Sequence, residues 1–141
     1  DHMILPLQLS VGGAIIFLAY SFFNPYLTPM RSFGAAIGGA LFFFLLYIFY
    51  VKVRKIDGLG EGDIYLMLLM GAYLGPEKLV VAVHVSTFVG LFVGLFHIIF
   101  KGQDLKMKLP FGTFLAIGSY VAAFWGIDIL RLLHTWMRPA T

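Results

Sequence analysis

The stretch GLGEGDIYLMLLMGAYLGPEKL, residues 58–79, places two carboxylates directly before an apolar run that ends at a Gly-Pro pair. The run over residues 64–75 contains twelve uncharged positions and would extend about 18 Å as a helix. That length alone favours a buried or re-entrant helix, because the hydrocarbon core of a bilayer is about 30 Å thick. The Gly75-Pro76 pair predicts a sharp stop after this helix.

Four longer segments on either side of this stretch contain no Asp, Glu, Lys or Arg: residues 7–23, 33–51, 79–100 and 111–127. Each approaches or reaches the roughly 20 residues that cross a bilayer core. The whole chain of 141 residues is 60% hydrophobic and 12% charged, against about 45–50% and about 25% in soluble domains. A water-soluble fold of this size could not bury so much apolar surface. We therefore predict an all-α, polytopic membrane helix bundle in a lipid bilayer, formed by residues 1–141 as a single domain.

The distribution of basic residues decides whether residues 64–75 cross the membrane. If all five segments cross, one side carries six basic residues in its loops: Lys52, Arg54, Lys55, Lys101, Lys106 and Lys108. The opposite loops then hold only Arg31 and Lys78. If the short segment returns instead, the count becomes four against four. The positive-inside rule thus favours about five crossings, with residues 52–62 and 101–110 on the cytoplasmic side.

Composition also excludes several kinds of site. The chain has no cysteine, and its four histidines show no HExxH or similar ligand spacing, so we expect no metal and no cofactor. The net charge of +3 is spread over short loops, which argues against nucleic acid as a partner.

Gly60, Glu61, Gly62 and Asp63 form a GxGD sequence where a cytoplasmic loop enters the short helix. A carboxylate at the lipid boundary is costly unless it is paired, hydrated or protonated, so Asp63 is a candidate functional residue. With a second carboxylate nearby, the pair can share a proton and cleave amides as aspartic proteases do. Gly60 and Gly62 would let a substrate backbone come close.

Asp63 also has a purely structural interpretation. Asp is a favoured helix N-cap and Gly is common in the preceding turn, so the motif could simply start a helix. Glu61 is expected to be solvated.

Taken with KLPFGTFLAIGSYVAAFWG at residues 108–126, the stretch at 58–79 resembles the C-terminal part of type IV prepilin peptidases. In that family the GxGD aspartate opens a membrane helix and a later Pro-Phe-Gly segment opens the last helix. The resemblance implies that Asp63 is catalytic. It also makes four residues candidates for substrate contact: Lys108, Pro110, Phe111 and Gly112. The alternative for Pro110 and Gly112 is that they only set the entry angle of the last helix.

The start of the chain, DHMILP, is similar to the family stretch that follows the first catalytic aspartate. Counting back from Pro6 by the family spacing reaches a position two residues before Asp1. The resemblance therefore implies that the partner of Asp63 precedes this sequence and that Asp1 is only a weak substitute. It follows that residues 1–141 alone are expected to be inactive.

The resemblance implies an aspartic endopeptidase of the bacterial cytoplasmic membrane that cleaves the leader of type IV prepilins or pseudopilins, with its active site facing the cytoplasm. Two alternatives remain at this point. One is a GxGD intramembrane protease with other substrates, and the other is a non-catalytic scaffold or transporter subunit. The sequence does not determine the oligomeric state.

Overall fold

The computed structural model describes residues 7–55, 60–102 and 111–138, and these residues are almost entirely helical. Within these ranges the chain forms four helices: α1 (Leu7–Ser21), α2 (Pro29–Phe49), α3 (Glu61–Lys101) and α4 (Phe111–Met137). A π-helical turn, Tyr50–Arg54, extends α2 and ends where Lys55 takes a left-handed conformation. No strand occurs in the described part of the chain. The all-α prediction is confirmed.

Helix α3 contains a break at the predicted Gly-Pro stop. Gly75 has φ 75° and ψ 175°, a combination that essentially only glycine adopts. Pro76 follows it and begins a new helical segment, where its missing N–H costs nothing. We call residues 61–74 the first arm of α3 and residues 76–101 its second arm.

The two arms of α3 run in opposite directions. The first arm is parallel to α4. Near the start of the arm, Phe111 of α4 packs on Phe43 of α2. Further along, Tyr73 of the arm donates a hydrogen bond to the Ser119 carbonyl of α4. The second arm is antiparallel to α4, with contacts that pair its start with the far end of that helix: Lys78 with Gly126, Ser86 with Gly118, and Gly90 with Phe114. The chain therefore turns back at Gly75.

The five apolar segments predicted from the sequence thus become five helical rods, two of them within α3. In the described part of the chain, three helices are long and apolar enough to cross a membrane: α2 with part of its π-helical turn (Pro29–Val53), α3 and α4. Helix α1 is apolar but shorter, at 15 residues. The prediction of a membrane-integral helix bundle is confirmed, and the five rods are roughly consistent with about five crossings.

Several helix ends differ from the ends of the predicted apolar segments; α2, for example, begins at Pro29 rather than at residue 33. The first helix ends at Ser21 rather than at residue 23. The last continues from residue 127 to Met137. Asp128 and Arg131 end the apolar run there, yet both side chains are exposed on α4. A charged side chain that can reach solvent does not interrupt the backbone hydrogen bonds of a helix, so the apolar run is shorter than the helix.

Small residues bring the helices into backbone contact. Gly71 of the first arm lies against Ala35 and Ala36 of α2, and Gly118 of α4 lies against Ser86 and Ala82 of the second arm. The Ser32 hydroxyl donates to the Ala72 carbonyl across the same α2–α3 contact. Lipid tails are as apolar as the side chains they replace, so close packing and interhelical hydrogen bonds hold such a bundle together. Helix α3 therefore forms the centre, between α1 and α2 on one side and α4 on the other.

Candidate active site at the start of helix α3

The backbone around the GxGD sequence is organised by a reciprocal pair of hydrogen bonds. Gly60 is the N-cap of α3, with extended backbone angles (φ −83°, ψ 147°). The Asp63 N–H donates to the Gly60 carbonyl at 3.0 Å, and the Gly60 N–H donates to Asp63 Oδ2 at 3.3 Å. This is the arrangement in which a carboxylate at the third helical position satisfies the N-cap amide. Asp63 therefore does support the helix start, but from the N3 position and not as the N-cap.

Asp63 is buried, whereas the neighbouring acidic residue is not. The exposed fraction of Asp63 is 7%, while Glu61 is exposed and accepts a hydrogen bond from the Tyr47 hydroxyl at 3.4 Å. The structure thus separates the two carboxylates of the motif. Asp63 faces the bundle and Glu61 faces its surroundings, as the sequence interpretation of Glu61 expected.

Helix α1 brings its start to the same level as Asp63. A Cβ on Gly13 would lie 2.8 Å from Leu69 Cδ1, and the rings of Phe17 and Tyr73 are 5.1 Å apart. In both pairs the α3 residue lies 56 positions after the α1 residue in the sequence. Helix α1 is therefore parallel to the first arm, and this offset matches Leu7 with Asp63. Helix α1 therefore begins at the level of the buried carboxylate.

Helix α4 also begins at this end of the bundle. The Phe111 ring lies 5.9 Å from the Phe43 ring, one helical turn along α2 from Tyr47, the residue that contacts Glu61. Gly112, the next residue of α4, is partly buried. The predicted gathering of Asp63, Phe111 and Gly112 at one end therefore agrees with the geometry. The other predicted site residues, Asp1, Lys108 and Pro110, lie outside the described residues.

Sequence reasoning missed one contact of this site. Tyr47 was not among the predicted site residues, but its hydroxyl reaches the GxGD motif through Glu61. The two residues are fourteen positions apart on different helices, and no local pattern connects them. The Gly60–Asp63 contact, in contrast, follows from the spacing of N-cap and N3 positions.

The described residues contain no group of three or more His, Asp or Glu side chains that could hold a metal ion.

Fold and site together define a polytopic membrane protein with one buried carboxylate at a helix start, close to the entry of another helix. The model of the type IV leader peptidase family matches residues 1–95. The chain belongs to that family.

Curated relatives agree with this assignment. The chain is 32% identical over 92% of its length to a prepilin leader peptidase/N-methyltransferase of Xanthomonas campestris. It is 30% identical over 93% to the protein of that name from Aeromonas hydrophila, and 31% identical over 97% to that from Legionella pneumophila. The aligned region covers 45%, 45% and 48% of these proteins, so the chain spans about half their length. No solved structure matches it.

Proposed function

We propose that this chain carries one catalytic carboxylate, Asp63, of a membrane aspartic endopeptidase that cleaves the leader peptide of type IV prepilins or pseudopilins. The observation that carries the proposal is the burial of Asp63 at the start of α3, level with the entry of α1. The names of the relatives supply the substrate class. Residues 1–141 would act as one peptidase domain within the full-length protein.

The second carboxylate of the site would come from the chain that leads into α1. The parallel register of α1 and the first arm supports this, because Leu7 is level with Asp63. Asp1 and the position two residues before it, where the family spacing falls, are the two candidates. The inactivity of residues 1–141 by themselves stays a prediction.

Two neighbouring carboxylates in a buried site would share one proton, because two like charges so close together disfavour each other. The ionised carboxylate removes a proton from a water molecule while the oxygen of that water attacks the scissile carbonyl carbon. The protonated carboxyl group polarises the same carbonyl. The tetrahedral intermediate then collapses, the C–N bond breaks, and the leaving amine takes a proton from the dyad. No metal takes part in these steps.

The position of the site suits a bond at the membrane surface. Asp63 lies in the first turn of α3, at the bundle end where α2 also ends and α4 begins. A peptide bond between a soluble leader and a membrane helix could reach this level without being drawn into the middle of the bilayer. Phe111 and Gly112 would then lie beside the substrate.

The charges support a cytoplasmic orientation of this end in the bacterial cytoplasmic membrane. Lys52 and Lys55 follow α2, and Lys101 ends the second arm. At the opposite end Arg31 forms an ion pair with Glu77, which offsets its charge. Lys78, Arg131 and Arg138 also lie at the opposite end, but the loops at residues 52–62 and 101–110 carry six basic residues. The positive-inside rule therefore favours the Asp63 end as the cytoplasmic side.

The test compares full-length wild-type protein with Asp63→Asn in liposomes, using a prepilin-like substrate and a gel shift. Asn keeps an oxygen that can accept the Gly60 N–H, so the helix start is retained while the ionisable group is lost. The matched control is Glu61→Gln, which neutralises the exposed carboxylate two residues away. We expect cleavage to be lost in Asp63→Asn and kept in Glu61→Gln. Normal cleavage by a folded Asp63→Asn protein would reduce Asp63 to a helix-capping residue, the role that a scaffold protein would need.

A further inference from the structure

Helix α4 is longer than the helix that covers its buried face. Three pairs of residues fix its antiparallel register with the second arm: Lys78 with Gly126, Ser86 with Gly118, and Gly90 with Phe114. From one pair to the next, the second arm advances by as many positions as α4 goes back. The same register places Pro76, where the second arm begins, level with Asp128. Since α4 continues to Met137, residues 129–137 extend about 14 Å beyond that point. We call these residues the α4 extension.

One face of the α4 extension is apolar and continues the face that α4 presents to the second arm. Ala122 and Gly126 are buried on that face. At the spacing of three or four residues that keeps side chains on one side of a helix, the next positions are Ile129, Leu133 and Trp136. Ile129 still packs against the core, but Leu133 is 49% exposed and Trp136 is 88% exposed. The apolar face thus continues past the helix that covers it.

The opposite face of α4 changes from apolar to polar at the same level. Phe124 and Ile127 are exposed on it, as the lipid-facing residues of a membrane helix are. Arg131 and Thr135 follow on that face and are also exposed. A charged side chain is costly in hydrocarbon, so the lipid boundary on α4 falls between Ile127 and Arg131. The α4 extension therefore lies outside the hydrocarbon core, and its apolar face is directed over the end of the bundle, away from the surrounding lipid.

A face of this kind needs cover from polypeptide. Outside the hydrocarbon core, Leu133 and Trp136 are stabilised when a partner removes them from water, and the described residues leave both of them exposed. The region aligned with this chain covers 45–48% of three curated relatives. A full-length protein of that size has about as many residues again from which the cover can come.

We propose that the apolar face of the α4 extension is the docking surface for a segment of the full-length protein that lies outside residues 1–141. This segment takes the place that the second arm occupies further along α4. Because Ile129, Leu133 and Trp136 form a stripe at helical spacing, the segment that fits them presents apolar side chains along one side. The inference is independent of the peptidase function, since the surface lies at the end of the bundle opposite Asp63.

The test is site-directed photocrosslinking in the purified full-length protein in liposomes, with no substrate present. The photoreactive residue p-benzoylphenylalanine replaces Trp136 in one variant and Leu133 in another. Replacement of Thr135 is the matched control, because Thr135 lies next to Trp136 in sequence but on the polar face. Trp136 is 88% exposed, so its replacement by another aromatic residue should leave the Tm unchanged. Mass spectrometry of the digested protein identifies the crosslinked peptides.

We expect positions 136 and 133 to crosslink within one chain to a peptide outside residues 1–141, with a yield at least about tenfold above position 135, since only groups in contact react. Crosslinks to lipid, to a second copy of the chain or to peptides within residues 1–141 would each contradict the inference. Equal yields from positions 136 and 135 would contradict it as well. The cleavage assay with Asp63→Asn decides the peptidase function separately, whichever of these results is found.

Discussion

Gly71 of α3 lies directly against the backbone of Ala36 of α2: a Cβ on Gly71 would be 2.5 Å from both the nitrogen and the Cα of Ala36. The neighbouring Ser32 hydroxyl donates to the Ala72 carbonyl and holds the same two helices together. This contact sets the distance between α2 and the first arm. It also sets the position of Asp63 along the bundle axis relative to Phe43.

Replacement of Gly71 by alanine should therefore destabilise the bundle. The added methyl group meets backbone atoms that cannot rotate away, so α2 and α3 must separate, at a cost of about 1–3 kcal/mol. Thermal unfolding in detergent measures the change. The control is Gly38→Ala on α2, where an added Cβ meets nothing within 4 Å and helix propensity slightly favours Ala. Equal Tm values for the two variants would contradict the close contact.

The break in α3 makes a sharper prediction about residue type. Gly75 has φ 75° and ψ 175°, outside the left-handed helical region. Asn tolerates the left-handed region but not this one, so Gly75→Asn should destabilise the protein by about 1–3 kcal/mol, and Gly75→Ala likewise.

Gly102 is the matched control for Gly75. Its angles, φ 57° and ψ 27°, are those of a left-handed C-cap, which Asn accepts. Gly102→Asn should leave the Tm nearly unchanged, as measured in the same unfolding experiment. A Gly75→Asn protein as stable as Gly102→Asn would mean that the two arms are not joined by this break.

The ion pair between Arg31 and Glu77 should contribute little. Both side chains are about half exposed, at 48% and 53%, and an exposed pair is worth less than about 1 kcal/mol. We expect Arg31→Ala to lower the Tm only slightly and Glu77→Ala to do the same. A double-mutant cycle measures the coupling, and a value well above 1 kcal/mol would show that the pair is shielded by the membrane interface.

Phe111 tests whether the start of α4 contacts substrate. Its ring packs on the buried Phe43, so Phe111→Ala should lower both the Tm and the rate of cleavage. Phe111→Leu keeps most of the apolar volume and should leave the Tm within a few degrees of wild type. If Phe111 touches substrate, KM rises in Phe111→Leu while kcat stays the same. An unchanged KM would leave only its packing role.

The sequence by itself determined the lipid environment, the fold class and the candidate for the reactive group. Five uncharged segments had to be covered by lipid, because 60% hydrophobic residues exceed what a small soluble core can bury. In lipid only helices or closed barrels satisfy the backbone, and the segment lengths favoured helices. The Gly75-Pro76 pair marked the break in α3 because its backbone chemistry is local. The GxGD motif marked Asp63 because a boundary carboxylate is costly wherever it occurs.

The tertiary structure decided what depends on contacts between distant residues. It set α1 parallel to the first arm of α3, so that Leu7 stands level with Asp63, and it set the Tyr47 hydroxyl on Glu61. It also separated glycines that look alike in sequence: Gly71 is needed for packing, Gly75 for its backbone angles, and Gly34 for neither. The spacing of residues along one helix determines which of them share a face. The side-chain shapes of both helices determine which residues of the other helix that face contacts.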